Sequence, residues 1–378
     1  MEEWKECRLG DFFELHRGYD LTKAEIKDGP YPVVCSTSIM GYHNEYKVKA
    51  PGVVIGRSGT LGEVQYIDTD FWPHNTSLFV SDFKGNSPKF IKYFLQLFGT
   101  GNVGGGSAVP TLNRNHLQAL TVKVPPLPTQ QKIAAILSSL DDKIELNNKI
   151  NTNLEQQAKA LFKNWFVYFE PFGGKMPEGW KEAEFRDVCE NITDGVHNTV
   201  VNDPNGDYLL LSCKNIKGGV LTISSSERKI NKETFEKLRK RTKLAKGDIL
   251  LSSVGTVGEM YLLNEAPDNY EFQRSVAIIK PNKSLISPAF LYESMLSQKD
   301  TIIHSAHGAV QQCIFISDVG DFTTILPTKD IIEKYTNIVQ PMLDTITANQ
   351  QENQNLANIR DTLLPKLMNG EIETNSII

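Results

Sequence analysis

The chain has 378 residues, which is enough for two domains of ordinary size. Its hydrophobic content of 40% and charged content of 22% are typical of a soluble globular protein, and no apolar run approaches the length of a membrane span. The net charge is −5, whereas dedicated nucleic-acid binders are often basic. Binding to DNA would therefore require the basic residues to cluster on one face.

The cysteines are five in number, lie far apart and form no Cys-x-x-Cys pair; they are Cys7, Cys35, Cys189, Cys213 and Cys313. This spacing predicts reduced thiols in a cytoplasmic protein and argues against a zinc site. The charged N-terminal segment 1–6 lacks the apolar core of a secretion signal.

The chain contains two diverged copies of one plan. Four segments of the first copy return in the second: Trp4-Lys5 as Trp180-Lys181, Ser36–Ile39 as Cys213–Ile216, Gly59–Glu63 as Gly255–Glu259, and Leu127–Thr129 as Leu326–Thr328. The offset grows along the chain from 176 to 199 residues. This pattern predicts a tandem duplication with insertions in the second copy.

The largest insertion, about 19 residues by the change in offset, lies between Ile216 and Gly255 and is strongly basic. It includes the run Arg239-Lys240-Arg241. A basic run of this kind is ordinarily a solvated face, but in a DNA-binding protein it would contact phosphates.

Each copy begins with a mixed α/β (α+β) part and ends with a long helix. Short β-rich runs such as Val53–Ile55 and Ile249–Leu251 alternate with glycine turns and with short helical patches. The helical parts run from about residue 129 to 166 and from about 328 to 368, and Thr129 and Thr328 are expected N-caps.

Mostly apolar residues, with a pair of asparagines among them, follow the alternating four-and-three spacing of a coiled coil in both helices. In the first helix these positions are Ile133, Leu137, Leu140, Ile144, Asn147, Asn151, Leu154, Ala158, Leu161 and Trp165. Adding 202 to the positions from Leu137 onward gives Val339, Met342, Ile346, Asn349, Asn353, Leu356, Arg360, Leu363 and Leu367. The pair of asparagines repeats, and only Arg360 departs from the pattern.

Buried asparagines at such positions cost stability but fix the register, because each amide needs a partner. An antiparallel coiled coil would place Asn147 beside Asn353 and Asn151 beside Asn349. A helix of about 38 residues spans roughly 57 Å, so the mixed domains would lie at opposite ends with pseudo-twofold symmetry. The alternative is that each helix packs separately on its own domain.

Three segments flanking the helices resemble the specificity subunits of type I restriction–modification systems. They are Pro125–Ile133, Leu161–Phe172 and Leu363–Ile372. The resemblance covers essentially the whole chain. It implies two target-recognition domains, each reading half of a split site on double-stranded DNA. It also implies partnership with two adenine-N6 methyltransferase subunits and, in the restricting complex, two translocase–nuclease subunits.

On this interpretation residues 1–126 and 171–325 form the first and second recognition domains. Residues 127–170 and 326–371 form the central and C-terminal spacer helices, and residues 372–378 form a tail. The recognition domains of this family diverge widely, so residues that read bases cannot be transferred from the resemblance.

No catalytic residue, cofactor site or metal site is expected. The single Pro-Pro, in Val124–Leu127, lacks the amide and the aromatic ring of an amino-methyltransferase motif, and no phosphate-binding Gly-x-x-x-x-Gly-Lys-Ser/Thr loop occurs. His304 and His307 are three residues apart without further ligands. The competing hypotheses are a self-contained methyltransferase and a coiled-coil scaffold that does not bind DNA.

The candidate DNA contacts are polar residues in glycine-rich loops and in the basic insertion. In the first copy they are Arg17, Tyr19, Lys23, Arg57, Ser58, Thr60, Ser107, Thr111, Asn113 and Arg114. In the second copy they are Lys214, Asn215, Arg239, Lys240, Arg241, Ser253, Thr256, His307, Gln311 and Gln312. For each of them, the alternative is an ordinary solvated surface residue.

Overall fold

A computed structural model describes residues 4–57, 63–99, 114–197, 199–224, 226–308 and 312–374. The chain divides into two compact units: Met1–Leu146 with Glu352–Ile378, and Asn147–Gln351. The division falls within both long helices, so each unit contains one mixed domain and part of each helix. Among the described residues, no helix combines the length and the apolar character needed to span a bilayer.

The first unit contains nine described strands and the helices around them. The strands are β1 (Lys5–Arg8), β2 (Glu14–Arg17), β3 (Tyr31–Val34), β4 (Ile39–His43), β5 (Gly52–Gly56), β6 (Val64–Ile67), β7 (Trp72–Pro73), β8 (Ser77–Asp82) and β9 (Thr121–Val124). The helices are α1 (Leu9–Phe12), α2 (Pro88–Gly99), α3 (Arg114–Ala119) and the start of α4 (Leu127–Phe166), with a 3-10 turn at Lys23–Glu25.

The second unit repeats this order with additions. Its strands are β10 (Lys181–Glu184), β11 (Cys189–Asp194), β12 (Tyr208–Leu211), β13 (Ile216–Lys217), β14 (Val220–Leu221), β15 (Arg228–Ile230), β16 (Ile249–Ser252), β17 (Met260–Leu262), β18 (Tyr270–Phe272), β19 (Val276–Pro281) and β20 (Thr323–Leu326). Its helices are the end of α4, α5 (Phe185–Val188), α6 (Lys232–Thr242), α7 (Pro288–Ser297), α8 (Lys299–His304), α9 (Ile316–Asp321) and the start of α10 (Lys329–Met368), whose end belongs to the first unit; 3-10 turns lie at Glu170–Phe172 and Cys213–Asn215.

The sheets confirm the duplication. The first unit has a four-stranded sheet in the order β2-β8-β5-β6, and the second has β11-β19-β16-β17. The three-stranded sheets β4-β3-β7 and β15-β12-β18 also correspond, as do the two-stranded pairs β1-β9 and β10-β20. The mixed α/β class predicted from the sequence is therefore correct for both copies.

The core of the first unit lies between the four-stranded sheet and helices. In α2, Phe90 and Phe94 are four residues apart and therefore project from the same face, where both rings pack against Phe12 of α1. The same cluster of buried side chains includes Leu137 of α4 and Leu367 of α10. The apolar positions of the two long helices are thus part of the domain core.

An aromatic cluster joins both long helices to the domain in the second unit. The ring of Tyr335 in α10 lies 5.9 Å from that of Phe162 and 5.1 Å from that of Phe166, both in α4. Phe290 of α7 completes the cluster, with its ring 4.7 Å from that of Phe166. Each such ring removes a large apolar area from water, so the cluster anchors the helices to this domain.

Within each unit the segments of α4 and α10 run antiparallel. In the second unit Asn349 Nδ2 donates to Asn151 Oδ1 at 2.8 Å, and Tyr335, earlier in α10, meets Phe166, later in α4. In the first unit Arg360 meets Asp141, whereas Glu352 meets Lys143. The predicted antiparallel register is confirmed at Asn151 and Asn349, and Asn147 is fully buried. The contact between Asn147 and Asn353 stays a prediction.

A polar network explains the departure at Arg360. Its Nη1 donates to Asp141 Oδ1 at 2.8 Å, and Asp141 Oδ2 accepts hydrogen bonds from Lys92 at 2.6 Å and from the Tyr93 hydroxyl at 2.7 Å. Hydrogen bonds from these donors lower the pKa of Asp141 in spite of its burial. At this position of the heptad pattern, an ion pair between Arg360 and Asp141 therefore takes the place of an apolar contact. Lys92 and Tyr93 of α2 bind the same carboxylate.

The predicted N-caps are correct in one helix only. Helix α10 begins at Lys329, directly after Thr328. Helix α4 begins at Leu127, which places Thr129 inside the first turn. Pro128 is tolerated in the first turn of α4, where a missing backbone N–H costs nothing.

We expect the substitution Asn349→Leu alone to destabilise the second unit by about 1–3 kcal/mol, because it leaves Asn151 Oδ1 buried without this donor. The double substitution Asn151→Leu and Asn349→Leu should regain most of that loss, since both polar groups are removed together. Chemical unfolding of the four proteins in a double-mutant cycle measures the coupling. Effects that add within about 0.5 kcal/mol would show that the two amides do not act as a pair.

Candidate DNA interface

A turn in the first unit joins the ends of several strands. His74–Thr76, hereafter turn A, connects β7 to β8 and closes with a hydrogen bond from Ser77 N to His74 O at 3.0 Å. The N–H of His74 donates to Val34 O at the end of β3, at 2.8 Å. The N–H of Arg57, just after β5, donates to Thr76 O at 3.1 Å.

The equivalent turn in the second unit has the same backbone bonds. Gln273–Ser275, hereafter turn B, connects β18 to β19 and closes with Val276 N donating to Gln273 O at 3.1 Å. Gln273 N donates to Leu211 O at 2.8 Å, and Ser253 N donates to Ser275 O at 2.9 Å. The two copies therefore share a backbone frame while the turn residues differ, His-Asn-Thr in one and Gln-Arg-Ser in the other.

A glycine brings the end of another strand against each turn. Gly18 N donates to Ser77 O at 3.1 Å, and Gly195 N donates to Val276 O at 3.2 Å. A Cβ atom on Gly18 would lie 2.1 Å from His74 O, and one on Gly195 would lie 2.1 Å from Phe272 O. Only glycine permits this close approach of two backbones, so the same constraint acts in both copies.

Three candidate residues of the first copy, Arg17, Tyr19 and Arg57, adjoin turn A. Exposed Arg17 and Tyr19 flank Gly18, and Tyr19 stacks on His16 with ring centroids 5.9 Å apart. Arg57 adjoins turn A through its backbone. Lys23 is exposed on the 3-10 turn Lys23–Glu25, which follows β2 along the chain. Arg114 is half-buried and begins α3, which packs against α1.

Some candidate residues lie outside the described residues. They are Ser58, Thr60, Ser107, Thr111, Asn113 and Gln311. Their proposed roles in DNA contact stay predictions.

Exposed candidate residues of the second copy lie around turn B. The loop that contains Thr256 is held on one side by turn B and on the other by Gln312, whose O accepts from Gly255 N at 2.9 Å. His307 stacks on Phe315 with ring centroids 5.2 Å apart and contacts Asp318 at 3.1 Å. Lys214 is exposed and pairs with Glu227 at 2.9 Å.

Two candidate residues of the second copy are buried and serve the backbone instead. Asn215 is 3% exposed, and its side chain accepts from Ser212 N at 2.9 Å and donates to Thr222 O at 2.9 Å. Ser253 is also 3% exposed and lies beneath turn B. We therefore remove both from the set of proposed DNA contacts, because their polar atoms are not available to a base edge.

The basic insertion includes α6, which carries its three candidate residues, and two of these have internal partners. Arg239 forms an ion pair with fully buried Glu271 and donates to Tyr270 O at 3.0 Å. Arg241 bonds to Asp194 Oδ1 at 2.9 Å and to Gly195 O at 3.0 Å. Arg239 is thus a structural residue rather than a phosphate contact, and Arg241 holds the segment that adjoins turn B. Lys240 is exposed.

Sequence reasoning missed both turns. Asn75 and Arg274 occupy the middle of turn A and turn B, and the short strands that lead into the turns have no strong periodicity. The equivalent backbone bonds place Arg274 in the position of Asn75, an offset of 199 that the matched sequence segments show only later, at Leu127–Thr129.

We expect charge reversal of Lys240 to weaken DNA binding by the assembled complex for all sequences alike. A phosphate contact releases counterions without reading bases, so the slope of log affinity against log salt should fall by about one. The matched control is Lys334→Glu on α10, an exposed lysine that pairs with Asp330. An unchanged salt slope for Lys240→Glu would assign this helix face to solvent or to a protein partner.

The fold and these turns define a duplicated protein with two equivalent mixed α/β domains and a pair of long helices. A family model described as the type I restriction modification DNA specificity domain matches residues 1–156 and 177–358. The chain therefore belongs to the family of type I restriction–modification DNA specificity proteins.

Relatives and a solved structure agree with this assignment. The MjaIX specificity subunit of Methanocaldococcus jannaschii is 29% identical over 73% of this chain, and the match covers 66% of that subunit. The HindI specificity subunit of Haemophilus influenzae is 26% identical over 70% of this chain and 71% of that subunit. The crystal structure of a type I S subunit from M. genitalium is 17% identical, with a TM-score of 0.63 over 97% of this chain and 96% of that chain. It supports the fold.

Proposed function

We propose that the chain is the sequence-reading subunit of a type I restriction–modification complex and that it recognises a bipartite, asymmetric DNA target. The supporting observation is the duplicated backbone frame of turns A and B, with different side chains in the two copies. Equal frames give each domain the same way of presenting side chains to a groove. Unequal side chains give the two halves different preferences, so the target is not a palindrome.

The chain itself supplies recognition and assembly, and its partners supply the chemistry. Two methyltransferase subunits modify adenine, and two restriction subunits join them in the restricting complex. The duplication supports two equivalent attachment sites for such partners. Five free cysteines are consistent with work in a reducing cytoplasm. The chain alone is non-catalytic, in line with the missing methyltransferase and nucleotide-binding motifs.

The test is methylation of a plasmid library by the chain assembled with its methyltransferase subunits, followed by sequencing of the modified adenines. We expect a split motif with an unread gap and one methylated adenine on each strand, one in each half. The chain purified without partners should transfer no methyl groups from a radiolabelled donor. A continuous palindromic motif, or methyl transfer by the chain alone, would contradict the proposal.

A further inference from the structure

We propose that Arg274 in turn B reads a guanine in the half-site of the second domain; this inference rests on the proposed function. The second unit contains five arginines, all within the described residues: Arg186, Arg228, Arg239, Arg241 and Arg274. Arg274 alone among them has no side-chain partner in the described part of the chain.

Each of the other four arginines has a hydrogen-bond or ion-pair partner within the chain. Arg186 pairs with Glu184, and Arg228 donates to Val200 O at 3.3 Å. Arg239 and Arg241 have the carboxylate partners Glu271 and Asp194. A guanidinium has five N–H donors and is always charged, and Arg274 is exposed, so its donors are available to a ligand.

The backbone beneath Arg274 is fixed on both sides. Its N–H donates to Val196 O at 3.0 Å, and its O accepts from the Ser253 hydroxyl at 3.4 Å. The next side chain, Ser275, accepts a hydrogen bond from Cys213 N at 3.1 Å. The hydroxyls of Ser253 and Ser275 therefore hold the backbone of the turn in place, while the side chain of Arg274 is exposed. A fixed base reduces the freedom that the side chain loses when it binds.

The first copy supports the same assignment of roles within the turn. His74 Nδ1 lies 3.0 Å from Thr76 Oγ1 and its Nε2 lies 3.2 Å from Leu21 O, so the side chains that flank Asn75 serve the frame, as Ser275 does in turn B. The middle residue, Asn75, contacts the side chain of Asp20 on the surface. The frame is constant, and the middle position carries asparagine in one copy and arginine in the other.

Charge and geometry favour guanine as the ligand of Arg274. The arginine fork pairs with O6 and N7 of guanine in the major groove through two parallel hydrogen bonds. A phosphate would also attract the charge but would be read without regard to sequence. The position that differs between two otherwise equal frames is better suited to a contact that specifies a base.

The experiment selects targets from a randomised DNA library with the complex of this chain and its methyltransferase subunits. For Arg274→Ala we expect about a 10- to 100-fold loss of discrimination at one guanine of one half-site, with the other half unchanged. Arg274→Lys keeps the charge but replaces the planar fork with a single ammonium, so it should lose part of the discrimination at that guanine and keep the salt slope. Asn75→Ala is the matched control, and it should leave the half-site of the second domain intact.

Two results would overturn the inference. One is an equal loss of affinity for all sequences with a salt slope reduced by about one, which indicates a phosphate contact. The other is a selected motif identical to that of the wild type. A wild-type complex that selects no motif at all contradicts the proposed function itself, so the two failures can be distinguished. Thermal unfolding of Arg274→Ala should match the wild type, because the side chain is exposed.

Discussion

Replacing Arg239 with alanine should destabilise the second unit by about 3 kcal/mol, because the buried carboxylate of Glu271 loses its counter-charge. Glu271 is fully buried, and its other side-chain hydrogen bond comes from the Thr242 hydroxyl at 2.9 Å. Arg239 also stacks over Phe235 at 4.8 Å, so its loss removes packing as well as charge. Chemical unfolding followed by the fluorescence of the chain measures the change.

Neighbouring variants separate this cause from a general effect on α6. Lys240→Ala, next to it on the exposed face, should change stability by less than about 0.5 kcal/mol. Removing both charges with Arg239→Met and Glu271→Leu should recover much of the loss, because no buried charge is then left unpaired. Equal stability of Arg239→Ala and Lys240→Ala would contradict the internal role of Arg239.

Replacing Glu293 with glutamine should stabilise the protein at pH 8 by up to about 3 kcal/mol and have little effect below pH 5. Glu293 is 3% exposed, and burial, with the negative charge of Glu155 as a second cause, raises its pKa to about 7. Lys159 opposes that shift only in part, and Tyr335 of α10 lies near enough to interact with the carboxylate.

The direction follows from proton binding. The folded state holds the proton of Glu293 more tightly than the unfolded state, whose carboxyl has the ordinary pKa of 4.5. The stability that this group contributes is therefore complete below about pH 4.5 and is lost as the pH rises through about 7. Unfolding curves at pH 5 and pH 8 measure the difference, and Glu155→Gln should show a smaller gain at pH 8. Identical stability of wild type and Glu293→Gln at pH 8 would refute the assignment.

The long helices and their antiparallel register could be predicted from the sequence because heptad spacing is local and repeats. The asparagines at 151 and 349 marked the register, since a buried amide restricts which residue can lie opposite. The duplication could also be predicted from local patterns, because short matched segments remain recognisable in the two diverged copies. Arg360 departed from the heptad pattern without an explanation in the sequence, because its partner Asp141 lies far away along the chain.

The turns could not be predicted, because each is assembled from strand ends that are distant in sequence. Turn B is held by Leu211, Val196 and Ser253, which a periodicity analysis treats separately. The basic insertion suggested a phosphate contact at Arg239 for a related reason. Composition alone does not distinguish a solvated arginine from one that, like Arg239, neutralises a carboxylate 32 residues away.

We propose that the two separate domains of this chain each read one half of a split DNA target. The most direct test of this claim is the methylome of a strain in which residues 1–126 of this chain are exchanged for the first domain of another family member. We expect one half of the methylated motif to change and the other half to remain that of the parent. A change in both halves, or a motif without two separable halves, would contradict the claim.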